Sequence, residues 1–255
     1  MDITNTLIDA IVNKIPLSYC KYGDGEFFCS ISRNGCNCDN DSYTEGLKNG
    51  LINSFVYMAN NHPNSYIGLW FDNNVKIYWE SLTQTQIKWA DYHSLFLCDN
   101  NIDLKLELYK TIQQSKMNKI IICNELLVKS KLLFNIDHMV NVKLNNWFDT
   151  DFELIKETVI KSMDPAPDSQ NIIITCAGMG SKVLICELAK LFPNNIYLDF
   201  GSALDKISTK KTSRGWEPDY SDMMNMLKYI IPDNWEDSKY ECIYETAKSK
   251  LGVHL

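Results

Sequence analysis

Long apolar runs are missing from this 255-residue chain: none approaches the ~20 consecutive apolar residues that cross a membrane, and no charged stretch followed by an apolar one opens it. A soluble, cytoplasmic protein without a membrane span is expected. Excess positive charge is missing too. Twenty-five Lys and Arg stand against 32 Asp and Glu, a net charge of -7, which argues against a nucleic-acid partner held by bulk charge and leaves only a local basic pocket open. The four histidines, at 62, 93, 138 and 254, show no ligand spacing. Paired cysteine spacing is also absent: Cys29, Cys36 and Cys38 lie close together, but one C-x-C without a second matched pair is poor zinc geometry. Several of the nine cysteines sit inside apolar runs, where they act as small buried hydrophobes, so free thiols in a reducing compartment are expected. No internal repeat or low-complexity tract occurs, and the one linker-like stretch, "MDPAPDSQ" (163–170), is too short to separate two domains.

With 45% hydrophobic residues the chain can bury one substantial core, and a single domain over 1–255 is expected, its last part from about 217 helical. Short apolar runs bounded by turn residues recur: "SYCKY" (18–22), "YIGLW" (66–70), "LFLC" (95–98), "KIIIC" (119–123), "MVNVKL" (139–144), "NIIITC" (171–176) and "NIYLDF" (195–200). Their length and β-branched content predict buried strands. Between them run helical periods. Leu47, Leu51, Phe55 and Met58 follow a Ser42-x-x-Glu45 capping box, Phe152, Ile155 and Val159 follow Thr150-x-x-Glu153, and Leu184, Leu188 and Leu191 make a third stripe. Such alternation predicts an α/β domain with a mostly parallel sheet flanked by helices, and in such sheets ligands bind where strands end at their carboxyl termini. The polar oddities fall at those ends: "GDGE" after the first run, Asn124 after the fourth, "NNW" with Asn146 after the fifth, "AGMGSK" after the sixth and "GSALD" after the seventh.

Two segments carry candidate chemistry. In "LSYCKYGDGEFF" (17–28), Asp24 and Glu26 alternate with Gly23 and Gly25, whose freedom to take positive φ lets both carboxylates point at one object. The object suited to two such oxygens is Mg²⁺ or Mn²⁺, which completes its shell with waters and substrate phosphates. The alternative is that Asp24 caps a helix and Glu26 is solvated. In "TCAGMGSKVLICELAKLF", Gly178, Gly180 and Ser181 open a helix whose free N–H groups suit a phosphate, or else simply make a tight strand-to-helix turn. The aromatic cluster Trp70, Phe71, Tyr78, Trp79 and Trp89 is read as core filling rather than a sugar platform.

These segments resemble the GT-D type glycosyltransferases, first known as the domain of unknown function 1792. "LSYCKYGDGEFF" is similar to that family's Arg-Tyr-Gly-Asp-Gly-Glu block, and "YIGLW", "KIIICNELLVKSKLLF", "VKLNNWFDTDFELI", "IIITCAGMGSKVLICELAKLF" and "IYLDFGSALDKI" resemble later blocks in the same order, covering 17 to about 216. The resemblance implies a single Rossmann-like domain that transfers a hexose, glucose-like, from a UDP-sugar to a glycan or glycoprotein acceptor. It places a divalent metal on Asp24 and Glu26. The expected donor-binding set is Lys21, Tyr22, Gly23 and Gly25 around the acids, Asn124, Asn146, Gly178, Gly180 and Ser181 at the later strand ends, and Arg214 on a Lys-rich stretch. Asp205 is the candidate base for the acceptor hydroxyl. Lys21 stands where the family often has Arg, which turns a bidentate phosphate clamp into a point charge. Ser202 stands where one branch has His, and "SRGW" (213–216) points to the other branch. Association of copies is left open. Two further readings compete: an S-adenosylmethionine methyltransferase using "CAGMG", with Asp199 loosely placed for a ribose, and a noncatalytic nucleotide-sugar binding module.

Overall fold

The isoleucine runs build the centre of the molecule because strands buried on both faces need apolar side chains at every position. In the computed structural model, which describes residues 1–38, 40–61, 64–70, 72–98, 101–166, 169–210, 217–235 and 238–251, helix α1 (Thr4–Val12) precedes β1 (Leu17–Tyr22). Helices α2 (Asp24–Ser30) and α3 (Glu45–Asn61) then lead to β2 (Ser65–Leu69), α4 (Asn73–Ser81) to β3 (Trp89–Asp91), and α5 (Ile102–Gln114) to β4 (Asn118–Cys123). The short α6 (Ser130–Leu133) precedes β5 (His138–Asn141), α7 (Trp147–Ser162) precedes β6 (Asn171–Cys176), and α8 (Gly180–Leu191) precedes β7 (Ile196–Asp199). Helices α9 (Asp205–Thr209), α10 (Tyr220–Leu227) and α11 (Ser238–Leu251) follow. No helix among the described residues is long and apolar enough to cross a membrane.

The seven strands form one sheet in the order β3-β2-β1-β7-β6-β4-β5, and every pairing is parallel. Side chains alternate between its faces. On β4, Ile121 and Cys123 join the layer packed by α1, α5 and α10, whereas Ile120 and Ile122 join the layer packed by α3, α7 and α8. Strands β1, β6 and β7 split the same way, with Tyr19, Ile174 and Leu198 on the first face and Cys20, Ile173 and Tyr197 on the second. The Leu47, Leu51, Phe55 and Met58 stripe is buried as expected. Trp79 is fully buried and stacks on Phe55, in keeping with its reading as core.

Four local expectations differ. "LFLC" is a succession of turns, and the third strand is the shorter Trp89–Asp91. Leu95, Phe96 and Leu97 are apolar because they fill the core, and their neighbouring carbonyls are met by side chains: Tyr109 donates to Leu95 and Lys105 to Cys98. Helix α3 begins at Glu45, so Thr44 rather than Ser42 caps it, its Oγ1 accepting from the Leu47 amide at 3.1 Å. Helix α7 begins at Trp147, which leaves Thr150 inside the first turn, where its Oγ1 donates to the Asn146 carbonyl. Leu191 is 57% exposed at the end of α8 and does not extend the Leu184 and Leu188 stripe.

Strand β2 approaches β1 closely at Gly68, where an added Cβ would stand 2.6 Å from the Tyr19 hydroxyl oxygen. That hydroxyl donates to the carbonyls of Asp91 and Tyr92, so the ring cannot turn aside. Gly68→Ala is expected to lower stability by ~1–3 kcal/mol through overpacking, read as a lower urea midpoint at unchanged slope; a midpoint equal to that of the unaltered chain would show that Tyr19 yields.

Candidate active site

Strand β1 ends at Tyr22, Gly23 is the N-cap, and Asp24 begins α2 at once, so the two acids sit in the first turn of a helix rather than on a loop. Neither flanking glycine uses positive φ; Gly35, Gly178 and Gly201 are the ones that do among the described residues. The glycines make room instead. A Cβ on Gly25 would lie 3.1 Å from Asn37 Cβ, and one on Gly23 would lie 3.2 Å from the Tyr92 hydroxyl oxygen. The acids have different surroundings. Asp24 is exposed, with Oδ1 accepting from the Gly25 amide, while Glu26 is buried and its Oε2 accepts from the Gly23 amide at 2.8 Å, closing the start of the helix.

The other Glu26 oxygen meets a lysine. Lys182, in the first turn of α8, places Nζ 2.8 Å from Glu26 Oε1, 3.1 Å from Asp199 Oδ2 and 3.1 Å from the Gly178 carbonyl, which engages all three of its hydrogens. Burial alone would depress the Lys182 ammonium, yet Asp199 and Glu26 outweigh it and hold it above the ordinary lysine range. Asp199, fully buried at the end of β7, also accepts from the amides of Lys21 and Gly201 and from Thr175 Oγ1. Lys21 lies alongside. Its Nζ donates to the Phe200 carbonyl at 2.5 Å and faces the rings of Phe96 and Tyr92 at 4.3 and 4.9 Å. Burial lowers Lys21 to about 8 against the pull of Asp199. Gly201, at φ +53, lets the chain pass there, since a Cβ would stand 2.6 Å from Lys21 Nζ.

Above this floor lies a cleft of about 540 Å³ at the carboxyl ends of β1, β4, β5, β6 and β7. Asp24, Gly25, Glu26, Lys21, Asn124 and Gly178 line it, together with Asp205 at the start of α9, so most of the expected set is brought together. Others are placed elsewhere. The Tyr22 ring lies in the core between Phe55 and Trp79, its hydroxyl bonded to Ser54. Gly180 is a packing position, where a Cβ would meet the Trp147 ring at 2.8 Å. Ser181 is fully buried in α8. Asn146, at φ 54, fastens a roof: its amide donates to Asp41 Oδ1 and its Oδ1 accepts from the Ser42 amide, while Asp41 Oδ2 faces Gly178 so closely that only a glycine fits. Arg214 lies outside the described residues.

The sequence reading missed the Lys182–Asp199 pair and Asp41. A carboxylate inside "IYLDF" and a lysine inside "SKVLIC" were signals, because charges in buried apolar runs need partners. The cleft is lined by three lysines (21, 143 and 182) and three carboxylates (24, 26 and 205), with Asp199 fully buried beneath it. No group of three or more His, Cys, Asp and Glu side chains gathers as a metal cage among the described residues. Two acids at the end of β1 still fit Mg²⁺ or Mn²⁺, which take one or two carboxylates and leave the remaining positions to water and phosphate.

No family model matches the chain, and no curated protein does. Solved structures do. A chain described as a new glycosyltransferase (DUF1792) from Streptococcus sanguinis superposes with a TM-score of 0.57 at 13% identity, over 92% of this chain and 95% of that one. A second, described as the highly conserved domain of unknown function 1792 with a distinct glycosyltransferase fold, gives 0.56 at 14% identity over 85% of each chain. A selenomethionine form of the same domain gives 0.54 at 13% identity over 90% of this chain and 88% of that one. The chain shares that glycosyltransferase fold.

Lys182→Met leaves Glu26 and Asp199 buried without their cation, and a loss of ~3–5 kcal/mol in denaturant unfolding is expected; a loss below ~1 kcal/mol would show that the network carries little. For Lys21, the folded state releases its proton near 8 and the unfolded chain only near the ordinary lysine value of about 10.4, so the unfolded state binds more protons between them. Stability of the unaltered chain relative to Lys21→Met is therefore expected to rise as pH climbs from about 8 towards 10, measured by urea titrations at each pH. A flat difference would remove the buried-ammonium account.

Proposed function

We propose that this chain is a metal-dependent glycosyltransferase that moves a hexose from a UDP-sugar to an acceptor glycan or glycoprotein. The observation that carries the reading is the pairing of an exposed Asp24 with a buried, lysine-fixed Glu26 at the end of β1, inside a cleft lined by as many carboxylates as lysines. A diphosphate brought against the two acids meets repulsion there unless a divalent cation accompanies it. Asp24 offers Oδ2, which has no partner among the described residues, and Glu26 keeps unused lone pairs beside its bonds to Lys182 and Gly23. When bound there, Mn²⁺ or Mg²⁺ supplies Lewis acidity to the departing diphosphate oxygens.

The protein's own groups do the rest. Lys182 and the Gly23 amide hold Glu26 in one orientation, so the acid pair is positioned before the donor arrives. Asp205, at the cleft wall, takes the proton of the acceptor hydroxyl as it attacks the anomeric carbon. The roof formed by Asn37, Asp41 and Asn146 limits water above the reacting bond. A methyltransferase reading needs an acidic residue free to bind a ribose, and Asp199 is fully buried with its oxygens turned to Lys182, Lys21, Gly201 and Thr175.

Asp24→Asn is expected to keep its melting temperature and lose on the order of 10²-fold or more in UDP-glucose turnover. Glu26→Gln is expected to lose both turnover and stability, because it also breaks the bond to Lys182. Turnover across a Mn²⁺ titration and thermal shifts with UDP, UDP plus Mn²⁺, and S-adenosylmethionine check this. Near-normal turnover of Asp24→Asn at low metal would remove that residue as a ligand, and stabilisation by S-adenosylmethionine would favour the methyltransferase. Binding of UDP without glucose release would leave a noncatalytic module.

A further inference from the structure

The cleft has two chemically different ends. At β1 and β7 it is charged, with Asp24, Glu26, Lys21 and Lys182, whereas at β4 and β5 its walls are aliphatic, from Leu126, Leu127, Val142 and Leu144. Strands β7 and β6 separate β1 from β4, so three strand spacings, about 14 Å, lie between the acid pair and the end of β4. That is roughly the reach of an extended pyrimidine nucleoside diphosphate. Aliphatic walls offer nothing to the hydroxyls of a sugar and gain from covering a flat heterocycle, so the two ends match the two ends of such a molecule.

Asp205 and Thr209 of α9, which packs on the turn Glu125–Leu127, line the cleft there, and two further polar side chains stand on the β4 and β5 side. Lys143 turns aside to Asp151 at 2.8 Å and Thr150 at 3.3 Å. Asn124 is held differently. It caps the short turn Glu125–Leu127, and its Oδ1 accepts from the Leu126 amide at 2.9 Å, which fixes the orientation of the carboxamide. Asn124 lines the cleft, and its Nδ2 has no acceptor among the described residues. A group that can only donate selects a ligand edge that can only accept. Uracil and thymine carry the O4 carbonyl where cytosine carries an N4 amine donor.

We propose that Asn124 reads the nucleobase of the donor, accepting bases with a carbonyl at that edge and rejecting cytosine. The inference rests on the nucleotide-sugar reading above. The test uses the full chain with Mn²⁺ and calorimetric titration of UDP and CDP. The unaltered chain is expected to bind UDP about tenfold or more tightly than CDP, the usual cost of setting two donors against each other in a partly buried site. Asn124→Asp keeps the cap, since Asp caps as well as Asn, but presents an acceptor, and it is expected to lose or reverse the preference. The UDP-to-CDP ratio cancels any general effect of the added charge. An unchanged ratio in the folded Asp variant, or equal binding of both nucleotides by the unaltered chain, would overturn the role of Asn124 while leaving the donor class intact. Binding of neither nucleotide at any metal concentration would overturn the donor class and this inference together.

Discussion

A buried lysine holds the two halves of the site in register. Lys182 comes from the helix after β6, Asp199 from the end of β7 and Glu26 from the helix after β1, and the ammonium stands between the two carboxylates at 2.8 and 3.1 Å. Burying either acid alone would cost several kcal/mol, and burying the lysine alone would cost as much. The three are tolerated because each satisfies the others and because backbone amides take up the remaining oxygens. The result is an acid pair of unequal character. Glu26 is fixed by Lys182 and the Gly23 amide, whereas Asp24 beside it is exposed.

Glycine serves this arrangement by position rather than by flexibility. Gly178 and Gly201 take positive φ where Asp41 and Lys21 press against the backbone, and Gly25 lies in ordinary helix yet leaves no room for a side chain next to Asn37. The glycines, which line the cleft, thus leave room for Asn37, Asp41 and Lys21. Roof and floor meet across Gly178, with Asp41 above and Lys182 bonded to its carbonyl below.

Much of the fold was legible because parallel strands covered on both faces write themselves as unbroken apolar runs, as in Ile120–Ile122 and Ile172–Ile174. The same rule misled at Leu95–Leu97, since a buried turn and a buried strand are equally apolar and only backbone pairing separates them. Cap positions shifted by two residues at Thr44 and by four at Asn146 because tertiary bonds, such as that from the Ser42 amide to Asn146, outcompeted the local box. At the site, the acids and Asn124 were singled out from their place after strands. Their division of labour was not, because it is set by Lys182 and Asp199, which reach Glu26 only through the sheet order.

That sheet order also sets when the site comes into being. Strand β1 lies beside β7, the first strand in the chain against the last, so the edge that carries Asp24 and Glu26 stays unpaired on that side until nearly the whole sheet has been made. On a ribosome, the segment with the acid pair emerges early and waits for a lysine and an aspartate that emerge late. Contacts of such long sequence separation are slow to close, and the exposed flank of β1 is a surface for mispairing in the interval. A chain interrupted before α8 therefore has no half-active form: it holds a carboxylate whose cation and counter-acid have not yet been synthesised, and completing the site is the same event as completing the fold.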